Sequence, residues 1–81
     1  MLKEEFLNKI ENPSSIQKQH IDKIFLKKTV SIKDMSIIMS WSRYVSTKVL
    51  KDIKKNNPTN AGLSKTTITL SQFLEMFNEF V

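Results

Sequence analysis

Both prolines and the only glycine of this 81-residue chain fall in two short stretches, Asn12-Pro13 and Asn56-Asn57-Pro58-Thr59-Asn60-Ala61-Gly62. No helix runs through the second stretch, because its Pro removes an amide donor and its Gly favours a turn. At the first, Asn is a favoured N-cap and Pro is tolerated at the first helical position, so a helix is expected to start at Asn12-Pro13. A third break is Thr29-Val30-Ser31. Ser31 followed by Asp34 reads S-x-x-D ahead of an apolar run, a capping-box variant that predicts a helix from Ile32 to Met39.

These breaks leave short segments whose apolar residues repeat at helical spacing. Leu2, Phe6 and Ile10, with Leu7 beside them, predict a helix over roughly residues 2–11. Ile16, His20, Ile21, Ile24 and Phe25 predict another from Pro13 to about Leu26, with Lys27 and Lys28 complementing its negative end. After helix 32–39, with Met35, Ile38 and Met39 inward, Ser40 and Trp41 interrupt. Ser42 is then the N-cap candidate of a helix reaching about Lys55, and a break of a few residues is the spacing of a helix-turn-helix. Thr66-Thr67-Ile68-Thr69 is β-branched throughout and predicts a short strand. Thr69 and Gln72 form a further capping box, and Phe73, Met76, Phe77 and Phe80 predict a final amphipathic helix. Met35, Met39 and Met76 read as core filler and Trp41 as the aromatic plug between paired helices.

A chain of this length makes a single domain, residues 1–81, and buries only about 60% of its unfolded surface. It has no cysteine and a single histidine, so disulfides, thiolate metal sites and two-histidine metal sites are excluded. His20 sits on an apolar helix face and is expected at the core edge with a hydrogen bond; nothing nearby in sequence supplies a nucleophile. Glu4 and Glu5 are adjacent and point apart on a helix, so they form no paired acid. No phosphate-binding loop, dinucleotide fingerprint or nucleophile elbow is present. The sequence therefore predicts neither an enzyme nor a cofactor. No apolar run nears the ~18 residues of a membrane span. The first ten residues carry Lys3, Glu4, Glu5 and Lys9, unlike a signal peptide, so a cytoplasmic protein is expected.

Charge is the informative extreme. Thirteen basic residues oppose eight acidic ones, for a net +5. The excess is local: residues 33–65 hold seven basic and two acidic side chains, residues 1–32 carry +2 and residues 66–81 carry −2. At about 100° per residue with Val45 at zero, Trp41, Val45, Val49, Ile53 and Leu50 share one sector of helix 42–55. Arg43, Tyr44, Thr47, Lys48, Lys51, Lys54 and Lys55 occupy the other, Asp52 lies at its margin, and Ser46 is the one small polar residue in the apolar sector. A lysine face kept for solubility is the plainer explanation. Contact with phosphates and bases is the sharper one.

The order of elements over residues 30–80 resembles the small winged helix-turn-helix domains of excisionases and MerR-like regulators. Ser31-Ile32-Lys33-Asp34-Met35-Ser36-Ile37-Ile38-Met39 looks like the first helix of such a domain. Trp41-Ser42-Arg43 falls where the family often has an apolar residue, Ser and Arg. Ile68-Thr69-Leu70-Ser71-Gln72-Phe73-Leu74 looks like the return strand of the wing and the helix behind it. Ser40 stands where the family turn usually holds Gly, Ser36 where it usually holds Ala, and Ser46 near an expected apolar residue. The resemblance implies a mainly α fold with a short β-hairpin: a winged helix-turn-helix over residues 29–81, preceded by two extra N-terminal helices in residues 1–28. It implies that helix 42–55 enters the major groove and that residues 56–66 touch the minor groove or backbone. The candidate DNA-binding residues are then Ser42, Arg43, Tyr44, Thr47, Lys48, Lys51, Lys54 and Lys55, with Asn57, Asn60 and Lys65 in the wing. The expected function is sequence-specific binding of double-stranded DNA by a small phage or mobile-element transcription regulator, or by an excisionase-like factor that bends DNA for a recombinase. The alternative is a protein-binding module, such as a phage inhibitor docking on a host protein. Leu2, Phe6, Phe77 and Phe80 are candidates for a homodimer interface, or else pack on one another inside one monomer.

Overall fold

Side-chain caps decide where the helices after the first begin. In the computed structural model, which describes residues 2–56 and 66–80, helix α1 spans Lys3–Lys9 and α2 spans Ser15–Lys27. Helix α2 starts at Ser14, not at Asn12-Pro13. The Ser14 hydroxyl accepts from the Gln17 amide at 3.1 Å, and Gln17 Oε1 accepts from the Ser14 amide at 2.8 Å. This reciprocal box satisfies two helix-end donors where Asn12 offers at most one, and Asn12 instead takes a left-handed φ of 47° in the bend before it. Lys28 closes α2 with a φ of 63°, its amide donating to the Ile24 carbonyl at 2.8 Å.

The expected helix 32–39 is present without change as α3, Ile32–Met39, entered through the Ser31–Asp34 capping box. Helix α4 spans Arg43–Asn56, with the Ser42 hydroxyl accepting from the Val45 amide at 3.2 Å. The last helix, α5, spans Leu70–Phe80 and begins at the Thr69–Gln72 box, each partner's amide bonded to the other's side chain at 3.2 Å. Capping chemistry thus fixes the start of four helices with one local rule.

The expected strand is β2, Thr67–Thr69, and its antiparallel partner is β1, Thr29–Ser31. The pairs are Thr29 with Thr69, Val30 with Ile68 and Ser31 with Thr67. Val30 and Ile68 lie opposite each other and are fully buried, so the ribbon is amphipathic. The Ile32 amide donates to the Thr66 carbonyl and the Leu70 amide to the Lys28 carbonyl, extending the pairing at both ends. Over the described residues the fold is therefore mainly helical, with one short antiparallel strand pair that brackets α3 and α4.

Every element contributes to one core. Phe6 of α1 is fully buried, with ring centroids 5.9 Å from Phe25, 5.8 Å from Phe73 and 4.4 Å from Phe77. Ile21 and Ile24 of α2, Met35 and Ile38 of α3 and Leu50 of α4 complete the buried cluster. Of the four residues offered for either a dimer interface or packing inside one monomer, Phe6 and Phe77 take the second place, because the apolar faces of the first and last helices cover each other. Leu2 is exposed, and the Phe80 side chain lies outside the described set.

Candidate nucleic-acid interface

The angle between α3 and α4 is set by three serines and a glutamine. Ser40, at the end of α3, has φ 56° and ψ 36°, the left-handed conformation that a helix C-terminus needs and that glycine takes most readily. The Ser36 carbonyl accepts from the amides of both Ser40 and Trp41. Gln17, whose Oε1 caps its own helix, extends Nε2 to the carbonyls of Ile38 at 3.1 Å and Ile37 at 3.3 Å. It thus satisfies the open end of α3 from a neighbouring helix. Sequence reasoning missed Gln17, although S-x-x-Q at Ser14–Gln17 was the available signal.

The third contact rotates α4. The Ser36 hydroxyl donates to the Ser46 hydroxyl at 2.8 Å, and Ser46 is fully buried. Ser36 of α3 and Ser46 of α4 are therefore partners. Their small side chains let the two helices approach closely, and their bond gives the buried Ser46 hydroxyl a partner. The buried seam of α4 runs through Ser46 and Leu50, while Val45 remains 40% exposed. Val45, expected in the apolar sector, is thus exposed, and Ser46, the one small polar residue of that sector, lies at the middle of the contact.

With that seam inward, Arg43, Tyr44, Lys48, Lys51 and Lys55 project to solvent, and Thr47 and Lys54 are half-buried. Ser42 is exposed, but its hydroxyl is engaged as the α4 cap. The Thr47 hydroxyl donates to the Arg43 carbonyl at 2.7 Å. The Lys48 ammonium lies 5.7 Å from the centre of the Tyr44 ring, a cation–π arrangement that draws the two side chains together. Asn57, Asn60 and Lys65 lie outside the described residues.

Two hollows flank this ridge. One, of about 540 Å³, is lined by Arg43, Tyr44, Thr47, Lys48 and Lys51. The other, of about 590 Å³, lies between α3 and the start of α4 and includes Ser31, Lys33, Arg43 and Thr66 in its wall. Arg43 stands between them and lines both. Lys33 was not among the sequence candidates. Its position beside Arg43 follows from the helix packing, not from any motif.

His20 sits where the sequence put it, at the core edge. Its Nδ1 donates to Asp34 Oδ1 at 2.6 Å. Burial pushes the Asp34 carboxyl up, but bonds from His20, from the Ser31 amide and hydroxyl, and the nearby Lys23 ammonium together hold it below its ordinary value. The group is a cap and a helix-to-helix tie. Among the described residues no cluster of three His, Cys, Asp or Glu side chains could hold a metal ion, and no helix is long and apolar enough to cross a membrane. Comparison with family models, curated proteins and solved structures returns no match.

Proposed function

We propose that this protein binds double-stranded DNA as a small winged helix-turn-helix factor, with α4 in the major groove. The observation that carries the reading is the run of cations on the solvent side of α4, with Asp52 the only acid of that helix. Such a face neutralises phosphates, and Arg43 and Tyr44 in its first turn stand where base edges are met. Lys33 and Thr66 extend the contact across α3 and the strand pair. The role is that of a cytoplasmic regulator or of an architectural factor of a phage or mobile element.

A mobility-shift titration on duplex DNA tests this. If five to seven phosphates are neutralised, log K falls with log salt at a slope of about −0.9 per phosphate. Arg43→Ala is expected to cost about 1–3 kcal/mol on the preferred site and little on random duplex, whereas Lys55→Ala weakens both alike. Absence of duplex binding at low salt overturns the proposal and leaves α4 as a surface for an acidic protein partner.

A further inference from the structure

The flank of α4 that faces α5 carries a cleft of opposite sign. It encloses about 430 Å³; Val49, Ile53 and Met76 give it apolar walls, and the exposed Asp52, Glu75 and Glu79 stand among its lining. Among the described residues no lysine or arginine lines it, although the chain carries thirteen basic residues. Among the described residues, ion pairs join Lys3 to Asp22 and His20 and Lys23 to Asp34, and no such pair between described residues involves Asp52, Glu75 or Glu79.

Their placement is costly in itself. Glu75 and Glu79 are four residues apart on α5, where like charges repel. Glu79 lies in the last turn of α5, whose negative end disfavours another anion. No basic residue occurs after Lys65, so the last helix offers no relief. The repulsion is kept around an apolar hollow, the combination that a cationic amphipathic ligand satisfies.

We propose that this cleft docks a basic segment of a partner protein. One aliphatic side chain of that segment seats against Val49, Ile53 and Met76, and lysines or arginines on either side of it pair with Asp52, Glu75 and Glu79. The carboxylates repel nucleic acid, so the occupant is a polypeptide. The cleft adjoins the cationic ridge without sharing residues with its hollows, so one helix can hold DNA and the partner at once. The inference does not depend on the DNA reading, since the cleft and its charge stand without it.

The full chain, labelled with nitrogen-15, is titrated with a synthetic helical peptide of leucines flanked by lysines, and with its glutamate-for-lysine counterpart. The lysine peptide alone is expected to shift the amides of Asp52, Ile53, Glu75, Met76 and Glu79 to saturation. The E75Q/E79Q variant is expected to keep its circular dichroism and its duplex-binding behaviour while losing about fivefold or more in peptide affinity, two ion pairs being removed. Absence of saturable shifts at those amides, an equal response to both peptides, or unchanged affinity of E75Q/E79Q overturns the proposal. Movement of the same amides as protein concentration rises, with no peptide present, makes a second copy the occupant and overturns it too.

Discussion

Ser40 holds a left-handed backbone conformation that costs a residue with a β-carbon roughly 1–2 kcal/mol and costs glycine almost nothing. Its hydroxyl returns little, since the Gln17 Nε2 contact is long at 3.4 Å. Glycine also loses more entropy on folding, which takes back part of the gain. Ser40→Gly is therefore expected to stabilise the protein by about 0.5–1 kcal/mol, read as a higher denaturant midpoint at unchanged slope. Asp34 acts in the opposite sense. Burial disfavours its charge, yet His20, Ser31 and Lys23 hold its folded-state pKa below the unfolded value. A carboxyl depressed on folding contributes stability that is complete above the unfolded pKa, about 3.9 for Asp, and is lost as pH falls through the folded pKa. Asp34→Asn is expected to cost about 1–2 kcal/mol at pH 7, from the weakened cap and tie, and to flatten the loss of stability below pH about 4. Urea melts of both proteins from pH 7 down to pH 2 check the sign; a steeper acid limb in the variant refutes it.

At the scale of the elements, hydroxyl and amide caps made most boundaries legible. Ser31, Ser42 and Thr69 each begin a helix as their spacing predicts, because a cap is satisfied within three residues and needs no tertiary partner. The start of α2 was misplaced because two capping signals lie side by side, and the reciprocal one prevails. The rotation of α4 was not legible, because the wheel ranks Val45 above Ser46 by hydrophobicity, while burial is decided by how closely α3 approaches. That approach depends on Ser36, ten residues earlier in another helix. The solvent positions of Arg43, Lys48, Lys51 and Lys55 were legible because the wheel sets them opposite the apolar residues of α4. Lys33 was not, since only packing brings it beside Arg43. The serine pair yields a test of the rotation. Ser46→Ala leaves the Ser36 hydroxyl without its acceptor at the helix contact and is expected to cost about 1–2 kcal/mol. Adding Ser36→Ala removes the stranded donor and is expected to recover much of that loss. Additive costs in this double-mutant cycle would show that the two hydroxyls do not act together.

For the whole molecule, the strand pair and the aromatic cluster join parts of the chain that the sequence keeps far apart. Periodicity shows that Leu2, Phe6 and Ile10 share a face but not what covers it, so residues 1–28 read as an extension beside a helix-turn-helix. In the structure that segment supplies Phe6, Ile21 and Ile24 to the same core as Met35, Leu50 and Phe73. The first helix is only seven residues long and has no side-chain N-cap, so its own hydrogen bonds cannot sustain it. It is held by Phe6 among Phe25, Phe73 and Phe77, and those rings in turn lose a wall without it. Phe6→Ala should then cost about 3–5 kcal/mol, the range for truncating a buried phenylalanine, out of a total stability of about 5–15 kcal/mol. Because the cluster ties both ends of the chain to one core, the loss is expected as a lower midpoint of a single cooperative transition. Helical circular dichroism and Trp41 fluorescence, a reporter in the α3–α4 turn, should move together. Helical signal falling at low denaturant while Trp41 fluorescence keeps its original midpoint would mean that α1 and α5 melt as a separate unit, and that Phe6 seals an appendage, not the core.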